Sequence, residues 1–419
     1  MLRFKRLLKS QTVSRVATVF VNNGLRQVLA LVISIFVART YGVTGRGEYA
    51  LFSSVVSVIA LVSSLGLVNA LVYEVKLKQQ TLKEAVILLV SHSTLALSVI
   101  LATYALVEVI LNPVQIEIEY RLWFIGITFV LYYLGTLLNL LLTSYLLAIG
   151  DTRNHLSQMV AIPWLTLVIL LAGYFLLGAE GFHPVLALVA GESLSAIIFL
   201  AYLVDWRIPA IISFASLKRT YSYALRSYLS GLTGSAHSKL DDLVVGAYSG
   251  AGAVGLYATA KSFYQVILSI PKAFSGYLFG LFVERRFANG VDLVHRASFA
   301  IFFLTFLVAI PLFFAPTWLL SVIYGPEFTE AAPALVILVA AAIASGSSNP
   351  ILGFLNANNR PGASSLTSLV SMVISVALLF ILVPMMSYNG AAYAVLGGAI
   401  VILIMRYGFF LSLANRLSE

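Results

Sequence analysis

The chain has 419 residues, of which 60% are hydrophobic and only 10% are charged, and its formal net charge is +9. A soluble domain carries roughly 25% charged residues, and too much of its surface faces water to hide so many apolar side chains. The composition therefore indicates a membrane protein. In such a protein the positive charge is typical of basic cytoplasmic loops, and we do not expect nucleic-acid binding. The absence of cysteine excludes disulfides and thiolate metal sites.

Apolar stretches long enough to cross a bilayer follow one another along the whole chain. A spanning helix needs about 20 mostly apolar residues. The first stretch follows the basic segment "MLRFKRLLKS", but it contains Arg15, Asn22 and Arg26 and predicts a retained helix better than a signal peptide. The pattern predicts twelve spans: Val13–Ala38, Tyr49–Tyr73, Ala85–Leu111, Leu122–Ile149, Leu156–Leu177, Phe182–Val204, Tyr221–Ala247, Ala253–Val283, Leu293–Ile323, Ala331–Leu355, Ser364–Met386 and Ala391–Leu413.

The connections between these spans differ in basic charge. With the N-terminus in the cytoplasm, the inner segments collect sixteen lysines and arginines, whereas the outer loops collect only Arg39, Arg46 and Arg121. This bias predicts that both termini are cytoplasmic. The basic segment Asp205–Thr220 is predicted to be a cytoplasmic connector that lies partly in the membrane interface.

The second half of the chain repeats features of the first. A shift of 208 residues aligns span 1 with span 7 and span 2 with span 8, and it places residues of span 2 and of the turn before it on identical residues. Six spans in each half make the halves parallel repeats, which predicts an N-terminal part (1–208) and a C-terminal part (209–419). The matched pairs are Gly42 and Gly250, Gly47 and Gly255, Tyr49 and Tyr257, Ala50 and Ala258, Ser54 and Ser262, and Ile59 and Ile267.

Several cations lie inside predicted spans, where a charge costs about 2.5–3.5 kcal/mol on insertion scales. Arg26 is near the middle of span 1 and shares a helical stripe with Asn22. In span 8, Lys261, Gln265 and Lys272 fall on one face. Such faces line a water-filled cavity or form a polar contact between packed helices. Arg15, Arg226 and Arg406 are near the cytoplasmic ends, where we expect them to extend to the interface.

Acidic residues are rarer inside the spans. Lys239 and Asp242 are one helical turn apart and are predicted to pair, whereas Asp241 is predicted to point to a different face. Glu192, in span 6, is either a hydrogen-bonded partner of Arg26 or of a serine, or a proton or cation site. Cations outnumber acids in these spans, and a pocket with surplus positive charge favours an anionic ligand such as phosphate. No P-loop, HExxH or GxSxG motif is present, so we expect no nucleotide motor, metal or cofactor.

Three segments, Val37–Val75, Lys239–Phe263 and Gly353–Ser365, carry motifs that resemble one known family. It is the polysaccharide-transporter branch of the multidrug/oligosaccharidyl-lipid/polysaccharide (MOP) exporter superfamily. "VARTYGVTGRGEYALFSSVVSVIALVSSLGLVNALVYEV" (Val37–Val75) is similar to its pattern at helices one and two. "KLDDLVVGAYSGAGAVGLYATAKSF" (Lys239–Phe263) is similar to its D-x-L-x-x-G and G-x-x-x-V-G-x-Y-x-x-A patterns. "GFLNANNRPGASS" (Gly353–Ser365) resembles its N-R-P turn between helices ten and eleven.

The resemblance implies an all-α polytopic membrane protein with twelve transmembrane helices in two six-helix lobes around a central cavity. Family members include flippases that carry polyprenyl-pyrophosphate-linked oligosaccharides, such as O-antigen units, across the bacterial inner membrane by alternating access. Substrate-binding residues would be Arg26, Lys239, Lys261, Lys272, Asn22 and Gln265. Coupling to a proton or sodium ion would involve Glu192, Asp241 and Asp242.

Two alternatives to a flippase stay open at this point. A multidrug/cation antiporter of the same superfamily would share the fold, but cationic drugs need buried acids. A membrane-embedded enzyme of polysaccharide assembly would need a larger outer loop. We therefore expect no enzymatic activity, and we expect membrane lipids and a lipid-linked oligosaccharide as partners.

Overall fold

The computed structural model describes residues 11–77, 81–111, 120–207, 213–235, 237–284 and 288–418. Among these residues the chain forms helices and no β-strand. The first part contains α1 (Gln11–Ser63), α2 (Leu67–Lys76), α3 (Leu82–Leu111), α4 (Tyr120–Ile149), α5 (Thr152–Gly181), α6 (Pro184–Leu203) and α7 (Phe214–Ser235). The second contains α8 (His237–Glu284), α9 (Ala288–Phe314), α10 (Pro316–Ile323), a 3₁₀ turn (Pro326–Ala331), α11 (Ala332–Ser347), α12 (Asn349–Ala357) and α13 (Pro361–Ser418).

The hydrocarbon core of a bilayer offers no water to pair with backbone N–H and C=O groups. Apolar helices are stable there because a helix satisfies its own backbone hydrogen bonds. In the described part of the chain, eight helical segments are long and apolar enough to cross a membrane. Four of them contain a break in the helical dihedral angles. In 24–63, 239–272 and 362–414 the break divides the segment into two arms, and in 152–181 it lies at Gly178, near the end. The predicted all-α membrane fold is confirmed, and a total of twelve spans is compatible with these breaks.

The breaks recur at equivalent places in the two halves. Gly42 in α1 has φ 68° and ψ −169°, and Gly250 in α8 has φ 78° and ψ 178°. These left-handed φ values suit glycine, which has no Cβ to clash. The same geometry 208 residues apart supports the repeat that the sequence predicted. Two further pairs of positive-φ residues, Gly150 with Asn359 and Gly178 with Ser387, are 209 residues apart.

The described residues pack as two compact units. The first comprises Met1–Leu51 and Leu240–Glu419, and its larger core is built mainly from α8, α11 and α13. A smaller cluster in the same unit surrounds Phe282, Phe354 and Phe410, whose rings meet edge to face. The lobes at 1–208 and 209–419 stay a prediction.

The second unit is Phe52–Lys239, whose core lies among α2, α3, α4 and α6. Here α7 is attached to α2 by an ion pair. The Arg219 Nε atom lies 2.9 and 2.8 Å from the two carboxylate oxygens of Glu74, which is only 1% exposed. Just before α7, Trp206 is half exposed and its ring lies under the ammonium of Lys83. Residues 208–212 of the predicted connector lie outside the described residues.

Candidate substrate and ion-coupling sites

Lys261 is the centre of a buried ionic cluster in the first unit. Its ammonium lies 2.7 Å from an oxygen of Asp241 and 3.0 Å from an oxygen of Asp242. Both aspartates precede the break at Gly250, and Lys261 follows it. Because the chain reverses at Gly250, the two arms of α8 lie beside each other, and residues about twenty positions apart come into contact.

A tyrosine completes this cluster, which we call the Lys261 cluster (Lys261, Asp241, Asp242 and Tyr257). The hydroxyl of Tyr257 donates to the second oxygen of Asp241 at 2.7 Å, and the backbone N–H of Asp242 donates to the first at 3.0 Å. Lys261 also lies over the Tyr257 ring. Buried charges are tolerated when they are paired and hydrogen-bonded, as here. With Lys261, Asp241 and Asp242 charged and the Tyr257 hydroxyl neutral, these four side chains together carry one surplus negative charge.

This geometry corrects one prediction from sequence. Asp241 does not point away from Asp242, because both carboxylates contact the same ammonium. The pairing of Asp242 with Lys239 stays a prediction. The sequence did not indicate Lys261 as a partner of Asp242, because Lys261 reaches it only where the arms of α8 fold back. Within the second unit, the Lys239 ammonium lies 3.5 Å from the hydroxyl of Ser53.

Arg26 and Lys272 form a second cationic group. Both side chains are exposed in the first unit, and they lie close enough to repel one another electrostatically. Gln265 is half-buried two turns before Lys272 on the same helix. The side chain of Asn22, the remaining predicted member, lies outside the described residues, as do those of Arg15 and Arg226. An anion that lies between two neighbouring cations offsets their mutual repulsion.

Glu192 belongs to a polar network between α4, α5 and α6 of the second unit. The amide nitrogen of Asn139 donates to the backbone carbonyl of Glu192 at 2.8 Å and to its carboxylate at 3.3 Å. Gln158 in turn donates to the side-chain oxygen of Asn139. The sequence had not indicated Asn139 as a partner of Glu192. The contact with Arg26 or a serine and the ion-coupling role stay predictions.

Arg46 is a buried cation that the sequence analysis placed in an outer loop. It lies four residues after Gly42, in the second arm of α1, and is only 7% exposed. Its guanidinium donates to the Ser262 hydroxyl at 3.4 Å and lies over the Tyr49 ring. In the described part of the chain no carboxylate forms an ion pair with it, and its Nε has no hydrogen-bond partner. Arg46 and Tyr49 are three residues apart in the sequence, and this spacing places two side chains on the same face of a helix. It is the sequence feature that could have indicated a helix rather than a loop here.

Arg406 is also buried, which contradicts the prediction that it extends to the interface. Its guanidinium donates to the Ser348 hydroxyl at 2.8 Å, at the break between α11 and α12. The carbonyl end of α11 lies at this break, and a helix C-terminus favours a cation. Arg406 therefore connects α13 to the broken helix.

Comparison with known proteins identifies a family, a relative and solved structures of the same fold. Residues 36–333 match the model of a family described as polysaccharide biosynthesis protein. A relative from Haloferax volcanii, named probable low-salt glycan biosynthesis flippase Agl15, is 24% identical over 378 residues, which cover 86% of this chain and 75% of that protein.

Two solved structures share the fold at low sequence identity. The lipid II flippase MurJ in an inward closed conformation gives a TM-score of 0.71 at 14% identity, covering 95% of this chain and 90% of that one. An inward-facing multidrug resistance MATE family transporter of the MOP superfamily gives 0.62 at 16% identity, covering 94% and 95%.

Proposed function

Because the chain belongs to the polysaccharide biosynthesis protein family, we propose that it is a flippase that carries a polyprenyl-pyrophosphate-linked oligosaccharide across the membrane. The family match over residues 36–333 is the observation that carries this proposal. A relative named as a glycan biosynthesis flippase supports it, as does the fold shared with a lipid II flippase. Because the relative and the solved structure are both named as flippases, we propose transport without catalysis.

We propose that the pyrophosphate is held by Arg26 and Lys272, with Gln265 contributing a further polar contact. The roles of Lys239 and Asn22 stay predictions from the sequence. Exposed cations that repel each other are favourable partners for phosphate oxygens. Lys261 was predicted to bind the same group, but its ammonium already contacts two carboxylates. We therefore assign Lys261 to the coupling machinery.

Ion coupling is proposed for the Lys261 cluster. Its surplus negative charge can be neutralised by one proton or one sodium ion, which ties cation binding to the packing of the two arms of α8. Glu192 is a second candidate, since its carboxylate is hydrogen-bonded by Asn139 inside the helical bundle. A gradient of either ion would drive net transport in one direction during alternating access. In this cycle the sugars pass through a polar interior while the prenyl tail stays in lipid.

The basic inner segments favour an orientation with both termini in the cytoplasm, and we propose the bacterial inner membrane as the location. Arg153, Arg207 and Lys218 would then lie on the cytoplasmic side and Glu180 on the outer side. Labelling of single cysteines at Lys218 and Glu180 in intact cells tests this orientation, because the chain has no native cysteine.

Reconstitution tests the function directly. The full chain is placed in liposomes with a polyprenyl-pyrophosphate-linked oligosaccharide, and the fraction of sugar open to an external lectin is followed over time. We expect the protein to accelerate exposure of the inner pool and an imposed proton or sodium gradient to change the rate. Arg26→Gln and Lys272→Gln should slow it, whereas Lys76→Gln, at an exposed lysine on α2, should not.

Two outcomes contradict the proposal. Equal exposure in protein-free liposomes excludes flipping of this substrate. Export of cationic dyes from cells that produce the protein, without oligosaccharide movement, favours the multidrug antiporter instead.

A further inference from the structure

The N-R-P turn borders a cavity that the proposed transport function does not use. The cavity, of about 430 Å³, lies in the first unit where α12 ends and α13 begins, beside the last turns of α13. Its lining contains both polar and apolar side chains. Such a mixed lining suits an amphipathic ligand.

The polar part consists of Asn359, Arg360 and Ser412. All three are exposed, and no side-chain hydrogen bond or ion pair is formed by any of them within the described part of the chain. The turn itself is closed by backbone contacts, since the Arg360 N–H donates to the Leu355 carbonyl at 2.9 Å. The guanidinium is therefore not needed to hold the turn.

The backbone adds to this positive character. Gly362 and Ala363 line the cavity in the first turn of α13, where N–H groups have no partner inside the helix. The partial positive charge of a helix N-terminus reinforces a neighbouring arginine toward an anion. Asn359, at φ 59°, sets the sharp turn that brings these groups together.

The apolar part is made by Leu355, Leu366 and Phe409. Leu355 is buried, whereas Leu366 is 47% exposed, so the cavity opens at the outer surface of the helices. A hydrocarbon chain can therefore continue from the cavity along the membrane-facing surface.

We propose that this cavity binds the phosphate headgroup of an anionic membrane phospholipid. Arg360 and the first turn of α13 would hold the phosphate, and Leu366 and Phe409 would contact the first carbons of the acyl chain. Basic pockets between helices at the cytoplasmic surface are suited to such headgroups. A volume of about 430 Å³ accommodates a headgroup but not an oligosaccharide, so the site is separate from the proposed transport route.

Lipid retention by the purified full chain tests the site. The protein in neutral detergent is titrated with phosphatidylglycerol, and bound lipid is counted by native mass spectrometry. We expect Arg360→Ala to weaken binding about five-fold, as expected for one basic residue at an anionic headgroup. Ser412→Trp should also weaken it by filling the cavity. Arg207→Ala is the matched control, because it removes an exposed arginine in the other unit.

The outcomes separate the site from general surface charge. Equal losses in Arg360→Ala and Arg207→Ala overturn the proposal, as does equal retention of neutral phosphatidylcholine. Displacement of the lipid by millimolar inorganic phosphate also overturns it, because the site would then take free phosphate. Elution at the wild-type volume in size-exclusion chromatography shows that each variant is folded. The measurement contains no transport step, so a failed flipping assay does not affect it.

Discussion

Gly47 and Gly255, which occupy equivalent positions of the two sequence repeats, pack directly against each other. A Cβ at Gly47 would overlap the carbonyl oxygen of Ala251, and a Cβ at Gly255 would overlap the carbonyl oxygen of Val43. Val43 and Ala251 are themselves related by the shift of 208 residues. The contact is therefore reciprocal, as at an interface that lies on a two-fold axis. The repeat seen in the sequence is thus also a contact between its two copies.

This close approach makes both glycines necessary. We expect Gly47→Ala or Gly255→Ala to destabilise the protein by about 1–3 kcal/mol, because a methyl group would push two backbones apart. Thermal unfolding in detergent measures the effect. Gly252→Ala is the control, since a Cβ there meets nothing within 4 Å and alanine favours the helix. Unfolding temperatures of Gly47→Ala and Gly252→Ala that agree would contradict the reciprocal contact.

The Lys261 cluster predicts an order of stabilities. Lys261→Met leaves two adjacent buried carboxylates without their cation, and breaking a buried ion pair costs about 3–5 kcal/mol. Asp242→Asn should cost less, because Lys261 and Asp241 then remain as a neutral pair. Thermal unfolding of the single variants at one pH tests this order. If Lys261→Met is as stable as Asp242→Asn, the ion pairs of Lys261 with the two aspartates do not stabilise the protein.

Arg26 and Lys272 should separate transport from stability. We expect Arg26→Gln to slow flipping about ten-fold or more, the loss that follows from one charge-assisted hydrogen bond to phosphate. Its unfolding temperature should change little, because the Arg26 side chain is exposed. The liposome assay and thermal unfolding on the same preparation give both values. A fall in stability that matches the loss of transport would make Arg26 a packing residue.

The ion pair of Arg219 with Glu74 attaches α7 to α2. We expect Arg219→Ala to destabilise the second unit by about 1–3 kcal/mol, because Glu74 is left buried with its main hydrogen bonds unmade. Arg219→Lys should recover part of this loss through charge alone. Lys218→Ala, at the exposed neighbouring position, is the control and should have no effect. Proteolysis rates of α7 in the three variants report the result.

Ser387 is strained where the equivalent break in the first half has glycine. Its φ of 53° and ψ of −137° are unfavourable for a residue with a Cβ, and such strain costs of order 1–3 kcal/mol. Ser387→Gly is therefore expected to raise the unfolding temperature, a rare gain for a glycine in a helical segment. Ser387→Ala keeps the Cβ and should give no increase. A decrease in both variants shows that the serine hydroxyl is needed at this break.

Some of the site was readable from the sequence and some was not. The stripe that contains Lys261, Gln265 and Lys272 was visible because helical periodicity assigns residues to faces. Periodicity does not say which neighbour covers a face, so the pairing of Lys261 with Asp241 and Asp242 was missed. Local spacing suggested Lys239 as the partner of Asp242. Lys261 lies 19 residues from Asp242, on the other side of Gly250, and no local sequence pattern relates residues that far apart.

The amino-acid sequence by itself determined that the chain lies in a lipid bilayer, that it is helical, that it contains an internal repeat and to which family it belongs. These follow from composition, from apolar length and from glycine-containing turns, all of which are local properties. Only the tertiary structure decided which charges are buried and with whom, as at Arg46, Arg406 and the Lys261 cluster. Burial depends on the surfaces that distant segments bring together, and a break such as Gly250 changes those surfaces without changing the apolar pattern.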